Sequence, residues 1–94
     1  MSVSTVDTTL VARICADVAT ATGMGCVLDV VLDRLDGTVW VRMSSRDGAG
    51  AAVRALGVHG LGGHDLDDGR LHVTGWDTRL LHWRLGTVLV GWMI

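Results

Sequence analysis

The chain has 94 residues, with ten Asp, eight Arg and four His, no Lys, Glu, Asn, Gln, Pro, Phe or Tyr, and a net charge of −2. It contains no run of like charge, which leaves neither a basic stripe for nucleic acid nor an acidic tail. Hydrophobic residues make up 49% of it, and a single domain of this size buries only about 60–65% of the surface its unfolded chain exposes. Part of that apolar material is therefore expected at an interface.

The first element is an amphipathic helix over Thr5–Thr22. Val3, Val6, Leu10, Ile14, Val18 and Ala21 recur at helical spacing and mark one buried stripe. Ser4 and Asp7 suit its N-terminus, and Gly23 and Gly25 supply the stop.

A hairpin follows. Val27–Arg34 and Thr38–Met43 flank Asp36-Gly37, a dipeptide that tolerates the positive φ of a tight two-residue turn. That turn would set Leu35 opposite Thr38, Asp33 opposite Trp40 and Leu32 opposite Val41. One face then collects Leu28, Val30, Leu32, Val39, Val41 and Met43, and the other Asp29, Val31, Asp33, Trp40 and Arg42. Because both strands sort under one register, a slip of a single residue would scramble both faces.

A second helix, Asp47–Leu56, has Ala49, Ala52, Val53 and Leu56 on one side and Gly57 at its end. The stripe is made of small residues, so the helix should lie close to what it covers. Asp68-Gly69 then reads as a second hairpin turn, setting Asp67 opposite Arg70 and Leu66 opposite Leu71. Asp77 caps a last helix from Thr78 to about Val90, with a terminal strand over Val88–Ile94 as the alternative.

The whole is expected to be one α+β domain over 1–94, with an antiparallel sheet of two hairpins and helices on one face. The order would be α-ββα-ββα, with ββα units at 26–57 and 58–94. The two units hint at a duplication, Arg54-Ala55-Leu56-Gly57 matching Arg84-Leu85-Gly86.

Few residues point to chemistry. His59, His64, Asp65, Asp67 and His72 are a usable donor set for zinc or another divalent ion, but at no established zinc spacing. The plainer reading is a polar hairpin edge, and metal is disfavoured. Gly48-Ala49-Gly50-Ala51-Ala52-Val53 echoes a dinucleotide fingerprint, yet Val53 stands where the third glycine belongs and no βαβ crossover surrounds it. Ser44, Ser45, Cys15 and Cys26 have no His at a recognisable catalytic spacing, so no catalytic residue and no cofactor are implied.

Residues 1–20 carry Asp7, Arg13 and Asp17, unlike a signal peptide. The longest uncharged apolar stretch, Leu85–Ile94, is half of the ~20 residues a membrane span needs. A cytoplasmic protein with free thiols is the expectation.

Read as a helix, the C-terminal segment is apolar on two opposite sides: Leu81, Leu85, Val88, Leu89 and Trp92 on one, Trp83, Thr87, Val90 and Ile94 on the other. A helix laid on a sheet needs only one such stripe. The second would be met by the N-terminal helix, a second copy of the chain, a foreign protein or, less favourably, a membrane surface. Trp40, between Asp33 and Arg42 on the outer sheet face, is a second candidate anchor.

The phrase Leu71-His72-Val73-Thr74-Gly75-Trp76-Asp77, with Arg as the only strong cation, resembles small uncharacterised accessory proteins of GC-rich actinobacteria and their phages. The resemblance covers no diagnostic motif and carries over no site. It implies a phage or mobile-element accessory protein that acts by occupying a surface of a host protein. The expectation is a non-enzymatic, self-associating protein-interaction domain. Its interface would be Val31, Asp33, Trp40 and Arg42 on the sheet, and Trp83, Val90, Trp92 and Ile94 at the C-terminus. The alternative is a small-ligand or metal-binding domain built on the His/Asp cluster.

Overall fold

The computed structural model describes residues 8–33, 35, 37–61, 67–71 and 80–93. Helix α1 (Thr8–Thr22) is followed by strands β1 (Val27–Asp33) and β2 (Thr38–Met43), helix α2 (Arg46–Val58), and strands β3 (Asp68–Leu71), β4 (Leu80–Leu85) and β5 (Val88–Met93). The strands form one sheet in the order β1-β2-β5-β4-β3, in which β2 and β5 run parallel and the other neighbours antiparallel. The fold is thus α+β with both described helices on one face. The sheet is mixed, in place of the antiparallel sheet of two hairpins expected.

In α1 the buried residues are Val11, Ile14, Cys15 and Ala19, so the inward stripe is rotated from the expected one and Leu10 and Ala21 face outward. The helix closes on Gly23, whose N–H donates to Ala19 O at 2.9 Å with φ at 65°. That left-handed conformation is open to glycine at little cost.

The first hairpin keeps its predicted faces but not its predicted partners. Asp33 faces Thr38, Leu32 Val39, Val31 Trp40 and Val30 Val41, two residues away from the expected register. The connection is longer than a two-residue turn: Gly37 N–H closes on Asp33 O at 2.8 Å, with φ of 73° at Gly37. The Asp33 carboxylate accepts from the Leu35 N–H at 2.9 Å, the local bond with which Asp favours turns over strand continuation. A slip of two leaves every side chain on its own face. One exception is Leu28, expected inside: a bulge between Val27 and Asp29 turns it out and packs Val27 against the core instead.

Helix α2 starts one residue earlier than expected and runs past Gly57 to Val58. Ser45 is its N-cap, its Oγ accepting from Gly48 N–H at 3.1 Å and donating to Met24 O. Ala49, Ala52, Val53 and Leu56 are all buried, as the small-residue stripe predicted. The helix does lie close to its neighbours: a Cβ at Gly48 would stand 2.5 Å from Met24 O.

The C-terminal half departs most from expectation. Asp68 and Gly69 make no turn; both lie in β3, where they pair with Trp83 and His82 of β4. Where the last helix was expected, the described residues 80–93 form a β4–β5 hairpin in which Leu85 faces Val88 across Gly86-Thr87. Gly86, at φ 57°, supplies the positive φ that such a tight turn requires. The alternative strand over Val88–Ile94 is the one realised, through Met93. Arg84-Leu85-Gly86, the supposed echo of a helix end, therefore closes a strand.

Three rows of apolar side chains cross the helix-covered face: Leu32-Val39-Val88-Leu85, Val30-Val41-Val90-Trp83 and Val27-Met43-Trp92-Leu81. Against them α1 sets Val11, Ile14, Cys15 and Ala19, and α2 sets Ala49, Ala52, Val53 and Leu56. Trp92, 1% exposed, is the largest fully buried side chain among the described residues. Its burial is worth about 4–6 kcal/mol at ~25 cal/mol per Å². Among the described residues, no helix is long and apolar enough to cross a membrane.

Candidate interaction surface

The sheet face away from the helices is ordered by the same registers. Val31, Trp40, Leu89 and Arg84 make one row, and Asp29, Arg42, Gly91, His82 and Gly69 the next. Asp33 stands beside Thr38 at the hairpin end. The four residues named on this face therefore share it: Val31 next to Trp40, and Asp33 and Arg42 one row to either side.

Accessibility on this face is uneven. Leu80 and Leu89 are buried, whereas Trp40, Arg42, Asp29 and Asp33 are half-buried. The exposed apolar side chains concentrate on the β1 side, with Val31 40% exposed, Leu28 44% at the bulge and Leu35 99% at the hairpin tip. Sequence alternation pointed to Val31 and Trp40 but missed Leu28, because nothing in Val27-Leu28-Asp29 announces a bulge.

Farther along, the His82 ring lies over Gly69, its Cε1 3.3 Å from where a Cβ on that glycine would stand. An aromatic ring laid across a strand glycine covers the backbone that a side chain would otherwise shield. The His82 Nδ1 is buried there without a hydrogen-bond partner among the described residues.

The C-terminal candidates fare differently. The two-sided helix on which they rested does not exist, and as strand residues Trp83, Val90 and Trp92 all point to one face, under α2. Val90 and Trp92 are core residues with no accessible surface to offer, while Trp83 is half-buried and reaches solvent beside α2. Ile94 lies outside the described residues.

Of the His/Asp set, His59 is the exposed C-cap of α2, and Asp67 is exposed ahead of β3, where its carbonyl accepts from Arg84 N–H at 3.2 Å. His64, Asp65 and His72 lie outside the described residues. Among the described residues no three His, Cys, Asp or Glu side chains converge as a metal site would need. The glycine-rich opening of α2 is occupied by its own cap and by close packing. Cys15 is buried and Cys26 exposed, both as free thiols.

No protein-family model, curated protein or solved structure matches the chain.

Proposed function

We propose that this chain is a non-enzymatic protein-interaction domain, and that it self-associates through the outer sheet face at the β1–β2 hairpin. One observation carries the reading: the exposed apolar residues Leu28, Val31 and Leu35 gather on one edge of the sheet, beside a half-buried Trp40. Tryptophan anchors ringed by partly covered neighbours dominate the energetics of protein interfaces.

Charge supports a second copy as the partner. The face carries two carboxylates on β1, Asp29 and Asp33, and two guanidinium groups, Arg42 on β2 and Arg84 on β4. A surface that holds both signs at separate places can complement itself across a two-fold axis. The same carboxylates oppose edge-to-edge pairing: an antiparallel β1–β1 contact centred on Val31 would set Asp29 against Asp33, and like charges directly opposite are destabilising. Stacking of faces is thereby preferred to extension of the sheet. A host protein that presents a comparable apolar and charged face is the partner that the accessory-protein resemblance implies.

The test is mass in solution by light scattering on the full chain, with Trp40→Ala and Val31→Arg alongside and folding followed by circular dichroism. The parent is expected to be a dimer, and each variant to fold and dissociate at least about 30-fold more readily, the ~2 kcal/mol of a hot spot. A monomeric parent, or folded variants that associate as the parent does, would overturn the reading.

A further inference from the structure

A second surface lies on the helix side of the sheet, where α2 crosses β4. At ~100° per residue, Arg46, Gly50, Val53 and Arg54 fall within about 100° of arc on α2. Gly50, Val53, Arg54 and Trp83 line a small, solvent-open recess of about 40 Å³ between helix and strand.

Its aromatic wall is held in place. Trp83 packs on Trp92 with ring centroids 4.4 Å apart at 44°, and Gly50 lets its ring approach the helix backbone. The Arg46 guanidinium carbon stands 5.6 Å from the Trp83 ring centroid and 5.8 Å from that of Trp92, which fixes a cation over the pair. Arg54 reaches back along the helix, its Nη1 3.6 Å from where a Cβ on Gly50 would stand. The floor is therefore apolar and the rim cationic.

Among the described residues, the carboxylates near the recess do not balance that rim. Asp68 faces Arg46 at 3.6 Å with both side chains largely exposed, a pairing worth little in water. Asp47 shares Arg54's side of α2 but sits about two turns, ~10 Å, nearer the N-terminus. Among the described residues, Arg54 makes no ion pair. Arg70, two residues beyond Asp68 on the same face of β3 and opposite Leu81, adds a further exposed cation.

We propose that this recess receives an acidic segment of a partner protein: one apolar side chain on Trp83 and Val53, with a neighbouring carboxylate held by Arg54 and Arg46. The recess falls short of the ~300–1,000 Å³ of a small-molecule pocket, so it suits a single side chain rather than a free metabolite. The excess of guanidinium groups selects carboxylate, the planar acceptor that arginine binds best. The proposal rests on the reading of the chain as a protein-interaction domain but uses a surface separate from the β1–β2 face.

The experiment is a nitrogen-15 NMR titration of the full chain with acetyl-Asp-Leu-Glu-Leu-Asp-amide and its uncharged counterpart acetyl-Asn-Leu-Gln-Leu-Asn-amide. The acidic peptide is expected to shift the amide signals of Gly50, Val53 and Arg54 and the indole signal of Trp83, and to bind at least tenfold more tightly than the neutral one. Arg54→Gln should abolish that preference, and Arg13→Gln, an exposed change on α1, should keep it. Equal binding of the two peptides, groove signals unmoved at millimolar peptide, or the same shifts produced by inorganic phosphate would each overturn the proposal. If the dimer forms as expected while the peptides miss the groove, only this inference falls. If the peptide binds the groove while the chain stays monomeric, the face-to-face reading falls instead.

Discussion

Trp83 lies against the bare backbone of Gly50: a Cβ on that glycine would stand 2.7 Å from Cζ3 and 2.9 Å from Cη2 of the ring. Gly50→Ala would raise the helix propensity of α2 by about 0.8–1 kcal/mol. It would also force the ring off Trp92, and overpacking of this kind costs about 1–3 kcal/mol. The second effect should win, with a net loss of about 1 kcal/mol in urea denaturation. A variant as stable as the parent would mean that the ring has room to move.

Ser45 does two jobs with one hydroxyl, capping α2 at Gly48 N–H and donating to Met24 O in the α1–β1 connection. Loss of an N-cap costs about 0.5–2 kcal/mol. Ser45→Ala should therefore lower the unfolding free energy measured in urea by about 1 kcal/mol or more, and Ser45→Asp, which restores an acceptor, should recover part of it. Equal stability of Ser45→Ala and the parent would show that the cap is dispensable.

The two thiols should separate cleanly. Burial pushes the Cys15 thiol up from 9.0 to about 12, so it stays protonated, whereas Cys26 is exposed. With Ellman's reagent at pH 8, Cys26 should react at once and Cys15 only after denaturant is added, because the thiolate is the nucleophile. A raised acid pKa means that the native chain holds its proton more tightly than the unfolded one. The contribution of Cys15 is therefore complete below pH 9 and is lost as pH rises through about 12. Cys15→Ala should flatten that alkaline fall in thermal midpoint; an unchanged slope would assign it to other groups.

Among the described residues, His82 Nδ1 is buried without a partner while its ring covers Gly69. A buried polar atom left unsatisfied costs about 1–3 kcal/mol. His82→Phe retains the aromatic cover and removes the orphan, and should stabilise the fold by about 1 kcal/mol in chemical denaturation. Destabilisation would mean that the nitrogen is solvated in solution.

The N-terminal half was legible because its signals are local. The inward set Val30, Leu32, Val39 and Val41 against the outward set Asp29, Val31, Asp33, Trp40 and Arg42 marked the two faces, and the small-residue stripe Ala49, Ala52, Val53 and Leu56 marked α2. The two-residue slip in pairing was beyond reach, since alternation is blind to any even shift and only the Asp33 turn decides between them. Residues 80–93 misled for a different reason. Leu81, Leu85, Val88, Leu89 and Trp92 fit a helical period by coincidence, while Leu81-Trp83-Leu85 and Val88-Val90-Trp92 fit a period of two around Gly86. The telling sign was the apparent second stripe: greasy on both sides as a helix, the segment has one clean inner face as a hairpin. Asp68-Gly69 misled because composition alone cannot tell a turn from a strand glycine covered by His82. The Trp83 recess was out of reach as well, since it joins α2 to β4 over some thirty residues.

Residues 88–93 are the last strand in chain order, yet they occupy the middle of the sheet and bridge β2 to β4. As the polypeptide leaves a ribosome, the β1–β2 hairpin must wait with Val39 and Val41 uncovered along one edge until that span emerges. The pairing that joins the two halves thus comes late and between distant residues, which slows folding. During that wait the open edge of β2 is a docking track for any chaperone that recognises an unpaired apolar strand, and shortening the chain before Gly91 would leave the molecule permanently at that stage.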